Sequence, residues 1–348
     1  MATIAFRDVT KQYAGTARPA VDRVTFEVRE GAVCMLLGTS GSGKTTLLRM
    51  VNRLIEPTSG AIFIDGRNAL DEDPILLRRR IGYVIQQVGL FPHLTIAENI
   101  RLTAEIAGWP RARMAGRVEE LLALVGLDPA EYAPRFPRQL SGGEQQRVGL
   151  ARAMATDPGI LLMDEPFGAL DAITRARMQE ELQRIQRGVG KTVLFVTHDV
   201  DEAFRLGEQI AVLSEGRLIQ VGSPIDLLAH PATEFVRKLV GADNILRQLE
   251  YLPVTVALDG GGSGAPMSAG EGERPIPSSA TLLQGMLALL ETGAPALGVF
   301  DEPTRRHLGR VTLASITREI TRPGALTTPG QAGGTGMIPS GDPSGARV

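Results

Sequence analysis

The chain has 348 residues, 43% of them hydrophobic and 22% charged, the balance of a soluble globular protein with room for one large domain and a smaller one. A formal net charge of −2 gives no global electrostatic case for binding nucleic acid or an anionic membrane surface. The single cysteine, Cys34, cannot form an internal disulfide; in the apolar run AVCMLL it reads as a small buried residue in a reducing cytosol.

From the amino terminus, MATIAFRDVTKQY lacks a signal-peptide core and reads as a strand. Residues 1–240 then alternate short apolar runs with helical patterns. VTFEV, AVCMLL, AIFID, IGYVI, ILLMD, TVLFVT, QIAVL and RLIQV are further strands, and the nearly all-apolar ILLMD and TVLFVT suit a parallel sheet buried on both faces. Between IGYVI and ILLMD lies a mostly helical insertion, in which Val118, Leu121, Leu122 and Val125 keep the spacing of an amphipathic helix. Residues 241–279 read as a connector running into a Gly/Pro-rich linker, DGGGSGAPMSAGEGERPIP. In SSATLLQGMLALLETG, a serine cap is expected before a helix with Leu282, Leu283, Met286, Leu287 and Leu290 along one face. Two strands, ALGVF and LGRVT, and a short helix near ASITREI follow. The Gly-, Pro-, Ser- and Thr-rich residues 321–348 read as a disordered tail. No uninterrupted apolar run reaches 18 residues, since Gln284, Glu291 and Pro295 break the nearest candidate, so any membrane spanning falls to another chain.

The strongest local chemistry is GTSGSGKTT, comprising Gly38, Thr39, Ser40, Gly41, Ser42, Gly43, Lys44, Thr45 and Thr46. It is G-x-x-x-x-G-K-[ST] between a strand and a helix, where bare glycine backbone can wrap phosphates at a positive helix end. Lys44 would meet the β- and γ-phosphates of a nucleotide, and the Thr45 hydroxyl would bind Mg²⁺. A second oxygen for that ion comes from Asp164, ending the buried strand ILLMD; the adjacent Glu165 is expected to act on the attacking water as general base or orienting group.

LSGGEQQR supplies another anion-friendly helix start. Ser141 and Glu144 have capping-box spacing, but capping alone leaves Gly142 and Gly143 unexplained. The ordered set GTSGSGKTT, a glutamine after IGYVI, LSGGEQQR, ILLMDEP, GALD and VTHD resembles the ATP-binding subunit of ATP-binding cassette (ABC) transporters. The resemblance covers residues 1–240. It implies an α/β P-loop NTPase fold with a RecA-like parallel-sheet core, an antiparallel β subdomain and a helical subdomain. It implies ATP and Mg²⁺ as ligands and ATP hydrolysis as the activity. Tyr13 matches the aromatic that stacks on adenine, Gln86 the glutamine reaching Mg²⁺ and the attacking water, and His198 the histidine beside the γ-phosphate. Asp171 matches the loop joining two active sites. His93, His230 and His307 receive no catalytic role.

In that family Ser141 and Gly143 would bind a γ-phosphate across a subunit boundary. The resemblance therefore implies a head-to-tail pair of identical chains, with two ATP molecules between them. It also implies transmembrane permease subunits received by the loop QQVGLFPHLT, a place on the inner face of the plasma membrane, and indirectly a substrate-binding protein. IGYVIQQVGLFPHLTIAENI and EFVRKLVGADNILRQLEYL resemble importers of glycine betaine, carnitine and choline more than other importers. Other small-solute importers (polyamine, amino acid, iron) are the nearer alternative. A soluble repair or translation ATPase is disfavoured, since neither long coiled coils, a second cassette nor an aromatic-and-basic nucleic-acid patch is visible. Residues 280–320 resemble one CBS module of the pair that often ends such subunits. Its twin is missing, or eroded into VTVALDGGG and the linker.

Overall fold

The computed structural model describes residues 3–86, 89–168, 170–259 and 274–321. The Gly-rich part of the expected linker, 260–273, and all but Thr321 of the expected tail lie outside these.

In chain order the cassette comprises β1 (Ile4–Lys11), β2 (Val21–Val28), β3 (Val33–Leu37), α1 (Lys44–Val51), β4 (Ser59–Ile64), β5 (Arg67–Asn68), α2 (Pro74–Arg79) and β6 (Ile81–Val84). The helical insertion follows: α3 (Ile96–Ile106), α4 (Arg111–Leu124), α5 (Pro129–Tyr132) and α6 (Gly142–Ala153). The chain returns through β7 (Ile160–Asp164), α7 (Ala172–Val189), β8 (Thr192–Thr197), α8 (Val200–Leu206), β9 (Gln209–Ser214), β10 (Arg217–Gly222), α9 (Pro224–Ala229) and α10 (Glu234–Val240). Beyond it come α11 (Ile245–Tyr251), β11 (Arg274–Pro277), α12 (Leu282–Thr292), β12 (Leu297–Phe300), β13 (His307–Val311) and α13 (Leu313–Thr321).

The main sheet has the order β10-β9-β3-β8-β7-β6, parallel except for the antiparallel edge strand β10. Every residue of β3, β7 and β8 is buried, because helices and a second sheet cover both faces. That second sheet, β2-β1-β4-β5, is antiparallel. Its inward residues Ile4, Phe6, Phe26 and Ile62 share a core with Leu47 of α1 and Leu162 of β7. Cys34 belongs to this core, and burial pushes its thiol up to about 12, so it stays a neutral apolar filler. On the opposite face, Val118, Leu121, Leu122 and Val125 are buried as their spacing predicts.

The carboxy-terminal part differs from the sequence reading in three places. Leu249, Leu252, Val254 and Ala257 are buried in one core with Ile276, Leu282, Val299, Val311 and Ile316, so much of the stretch read as connector is structural. The segment VTVALD is the entrance to this module: Val254 N–H donates to the Ala280 carbonyl and Asp259 bridges to Arg310. Second, Thr281 rather than a serine caps α12, with Gln284 completing the capping box. Third, α12 buries Leu282, Gly285 and Leu289, while Leu287 and Leu290 are exposed. The reason is a close approach: a Cβ on Gly285 would lie 2.9 Å from Val254 Cγ1, so the helix turns its small residue to the 254–257 turn. β11 runs parallel to β12, and β12 antiparallel to β13. The module is fixed to the cassette through α11, where Tyr251 packs edge-on against Phe204 and Arg247 pairs with Asp201.

Candidate nucleotide site

The loop between β3 and α1 leaves the end of a buried strand and must turn sharply. Gly38 is wedged so closely against the Leu213 carbonyl that a Cβ would lie 2.2 Å from its oxygen. Gly43 precedes α1 at φ 97°, a backbone conformation that suits glycine, and no side chain caps the helix. The first amides of α1 are thereby left open at the positive end of its dipole.

Lys44 Nζ donates to the carbonyls of Gly38 and Thr39, both at 2.8 Å, and lies 3.5 Å from Ser42 Oγ. Burial lowers its pKa, while the nearby charges of Glu165 and Asp164 oppose that change. The ammonium is thus held inside the loop with ready hydrogen-bond partners. An arriving phosphate would exchange these neutral acceptors for charged ones.

Thr45 Oγ1 donates to Asp164 Oδ1 at 2.9 Å. The other Asp164 oxygen lies 3.2 Å from Arg49 Nη2 and accepts from Tyr83 OH at 3.4 Å. Arg49 is one helical turn beyond Thr45, on the same face of α1, and Tyr83 comes from the neighbouring strand β6. These two residues were not singled out in the sequence. The Thr45-to-Arg49 interval was the available signal for one of them. The buried Asp164 is consequently oriented at both oxygens.

Glu165 leaves β7 at φ 45°, its N–H donating to the Val196 carbonyl at 3.1 Å, so its side chain departs from the direction set by Asp164. Gln86 Nε2 donates to Glu165 Oε2 at 3.2 Å. His198 Nδ1 lies 3.4 Å from Glu165 Oε1. Ser40 to Thr46, Glu165 and His198 line one cavity of about 420 Å³ together with Ala20. The carboxylate suited to act on water therefore faces the phosphate loop between an amide and an imidazole.

The remaining expected residues lie outside this cavity. Tyr13 is exposed, with Lys11 Nζ 5.4 Å from its ring centroid. Ser141 caps α6 reciprocally with Glu144, as the capping box predicts. Gly143 has a packing reason: a Cβ there would lie 2.7 Å from Thr174 Cγ2. Gly142 has none, since its Cβ would make only an ordinary 3.7 Å contact with Leu170. Asp171 caps α7, accepting from the amides of Ile173 and Thr174. The hydrogen bonds from Thr174 hold its carboxyl below the usual range.

A family model described as ABC transporter matches residues 21–168. The glycine betaine/carnitine/choline transport ATP-binding protein OpuCA of Bacillus subtilis is 48% identical over 261 residues, covering 72% of this chain and 68% of that protein. The chain belongs to the ABC transporter ATP-binding proteins. The osmoprotectant import ATP-binding protein OsmV of Salmonella typhimurium is 51% identical over 249 residues, 71% of this chain and 65% of that protein. Among solved structures, a dimeric ATP-binding cassette in a post-hydrolysis state bound to ADP and Pi matches with TM-score 0.56 and 35% identity, over 63% of this chain and 98% of that one. The P-loop, ABC-type α/β fold expected from the motifs is therefore borne out, and the protein is an ABC-type ATPase.

Proposed function

We propose that this ABC protein is the ATP-hydrolysing subunit of an importer for quaternary-amine osmoprotectants of the glycine betaine and choline type. The observation that carries the hydrolytic reading is the set of contacts around Glu165: Gln86 on one oxygen, His198 beside the other, and the Lys44 loop across the same cavity. The solute assignment is supported by the names and identities of OpuCA and OsmV. Lys44 and the uncapped amides at the start of α1 would hold the phosphates, with Tyr13 under the adenine. Glu165 would accept a proton from the attacking water, and His198 would stabilise charge developing on the γ-phosphate.

Mg²⁺ fits the oxygen donors present. Thr45 and Asp164 are already hydrogen-bonded to each other, Gln86 sets an amide on the neighbouring Glu165, and a hard octahedral ion with few protein ligands takes phosphate and water for the rest. Among the described residues there is no cluster of three His, Cys, Asp or Glu of the kind that forms a dedicated metal cage. When bound, the ion would neutralise phosphoryl charge.

Because Ser141 and Asp171 lie outside the cavity, a second copy packed head to tail would bring its own Ser141, Gly142 and Gly143 to the nucleotide. ATP then binds the closed pair better than the open one, which is what a ligand-driven switch requires. The loop after Gln86 would pass closure to transmembrane permease subunits that accept solute from a binding protein, placing this chain on the cytoplasmic face of the membrane. No helix among the described residues is long and apolar enough to cross the membrane itself. The single CBS-like module, packed on the cassette through α11, is proposed as a regulatory attachment.

The test is Glu165→Gln. Turnover should fall by about 10²–10³-fold while ATP binding persists, and ATP should now hold two copies together in light scattering. Turnover near that of the native protein would remove Glu165 from its role.

A further inference from the structure

α7 begins at the GALD loop and packs against α8, which follows His198. Side chains of α7 reach both the loop before it and the segment after His198. The Arg175 guanidinium donates through Nη2 to the Leu170 carbonyl at 3.0 Å, and its Nη1 lies 3.7 Å from Asp199 Oδ2. Asp199 follows His198 directly, its N–H donates to Thr197 Oγ1 at 3.0 Å, and its Oδ1 caps α8 by accepting from the Glu202 amide at 3.1 Å. One turn further along α7, Gln179 Nε2 donates to the buried Glu202 carboxylate at 3.2 Å. The start of α6 lies against the same loop, since Gly142 and Gly143 face Leu170 and Thr174.

A fork is the right shape for this place. A guanidinium presents paired, fixed N–H groups and can hold a carbonyl and a carboxylate at once, whereas an ammonium is a single point of attachment. Arg175 thereby spans from the loop before Asp171 to the residue after His198, and His198 stands 3.4 Å from Glu165.

We propose that Arg175 is a positioning residue that ties the His198 segment to the Leu170–Asp171 loop, so that contact of this loop with a second copy is felt at His198. The inference rests on the two-copy reading of the ATPase cycle. Asp199 is the receiving group, and Gln179 with Glu202 keeps α7 and α8 moving together.

The experiment is a double-mutant cycle on ATP turnover, with Arg175→Ala and His198→Ala made singly and together. Arg175→Ala in the native background should lower kcat roughly tenfold with KM little changed, the size expected for loss of a coupling contact. It should also bring the Hill coefficient for ATP towards one. In the His198→Ala background it should cost nothing further, because the group it positions is gone. A merely structural role would give the same fold-loss in both backgrounds, and that result overturns the proposal, as does unchanged turnover of Arg175→Ala. If Arg175→Ala does not fold, Arg175→Lys and Asp199→Asn enter the same cycle, the lysine keeping charge and bulk but not the fork. The turnover of the native chain and its loss in Glu165→Gln check the ATPase reading separately, so failure of the cycle alone falls on Arg175.

Discussion

The helix starts of α1 and α6 are both glycine-rich, yet they are finished in opposite ways. At α1 no side chain caps the open amides, and Lys44 is held ready by the loop's own carbonyls. At α6 the chain satisfies itself: Ser141 N–H and Oγ donate to Glu144 Oε2 at 2.7 and 2.8 Å, and Tyr132 OH donates to Oε1 at 2.6 Å. A carboxylate thus occupies the end of α6 that the dipole makes attractive to anions. At α1 only the Lys44 ammonium has partners to exchange, and the first amides of the helix carry no cap. The start of α6 would have to exchange an internal partner for an external one, as the proposed two-copy cycle requires.

The comparison breaks most sharply at Ser141. Ser141→Arg places a long cation where a second copy's phosphate is expected and removes the cap. ATP binding by the single chain should persist, because the Lys44 cavity contains no part of α6. Turnover should fall on the order of a hundredfold or more, the scale for losing an anion-stabilising donor. Loss of the cap costs about 1 kcal/mol of stability, too little to unfold an ordinary domain. Binding isotherms beside turnover decide it, and turnover close to native would end the distinction drawn between α1 and α6.

The paired glycines sharpen it next. Gly143→Ala forces a Cβ against Thr174 and should destabilise by about 1–3 kcal/mol. Gly142→Ala has space within its own chain and suits a helix better, so its melting temperature should hold or rise slightly. If Gly142 is bare because something outside the chain approaches its backbone, Gly142→Ala should nevertheless lose turnover. Parallel melts and assays separate the two. Equal stability loss at both positions would mean that packing explains the pair.

How much of this was legible in the sequence depended on distance along the chain. The phosphate loop, the Ser141–Glu144 box and the all-apolar strands are local patterns, and each was readable as such. Tyr83 meets Asp164 through strand order, which no local pattern encodes, whereas Arg49 sits one turn beyond Thr45 and only the partner it finds there is hidden from the sequence. The second reason for Gly143, contact with Thr174, is tertiary in the same way. RPIP, half proline, reads as linker; as β11 it is tolerated at a sheet edge, paired on one side with β12. Apolar spacing points to a different face of α12 because it weighs leucines, whereas the decisive residue is Gly285, selected by the close approach of Val254.

The smallest expected effect lies in the carboxylate that closes α6. Hydrogen bonds from Tyr132, the largest cause, and from Ser141 lower the Glu144 pKa, with burial opposing them. A depressed carboxyl binds fewer protons in the folded chain than in the unfolded one, so stability rises with pH through this window. The contribution is complete above the ordinary glutamate range and disappears as pH falls through the depressed folded value. Glu144→Gln keeps the capping geometry, since glutamine also completes the box, but removes the charge. Near neutral pH the variant should melt slightly lower, by less than about 1 kcal/mol for so accessible a group. The difference should shrink steadily as the solution is acidified through the carboxylate range. Thermal melts of both proteins across that range test the sign. A gap that widened towards acid would mean that Glu144 is held protonated, and the start of α6 would then carry a neutral cap with no negative charge for an anion to displace.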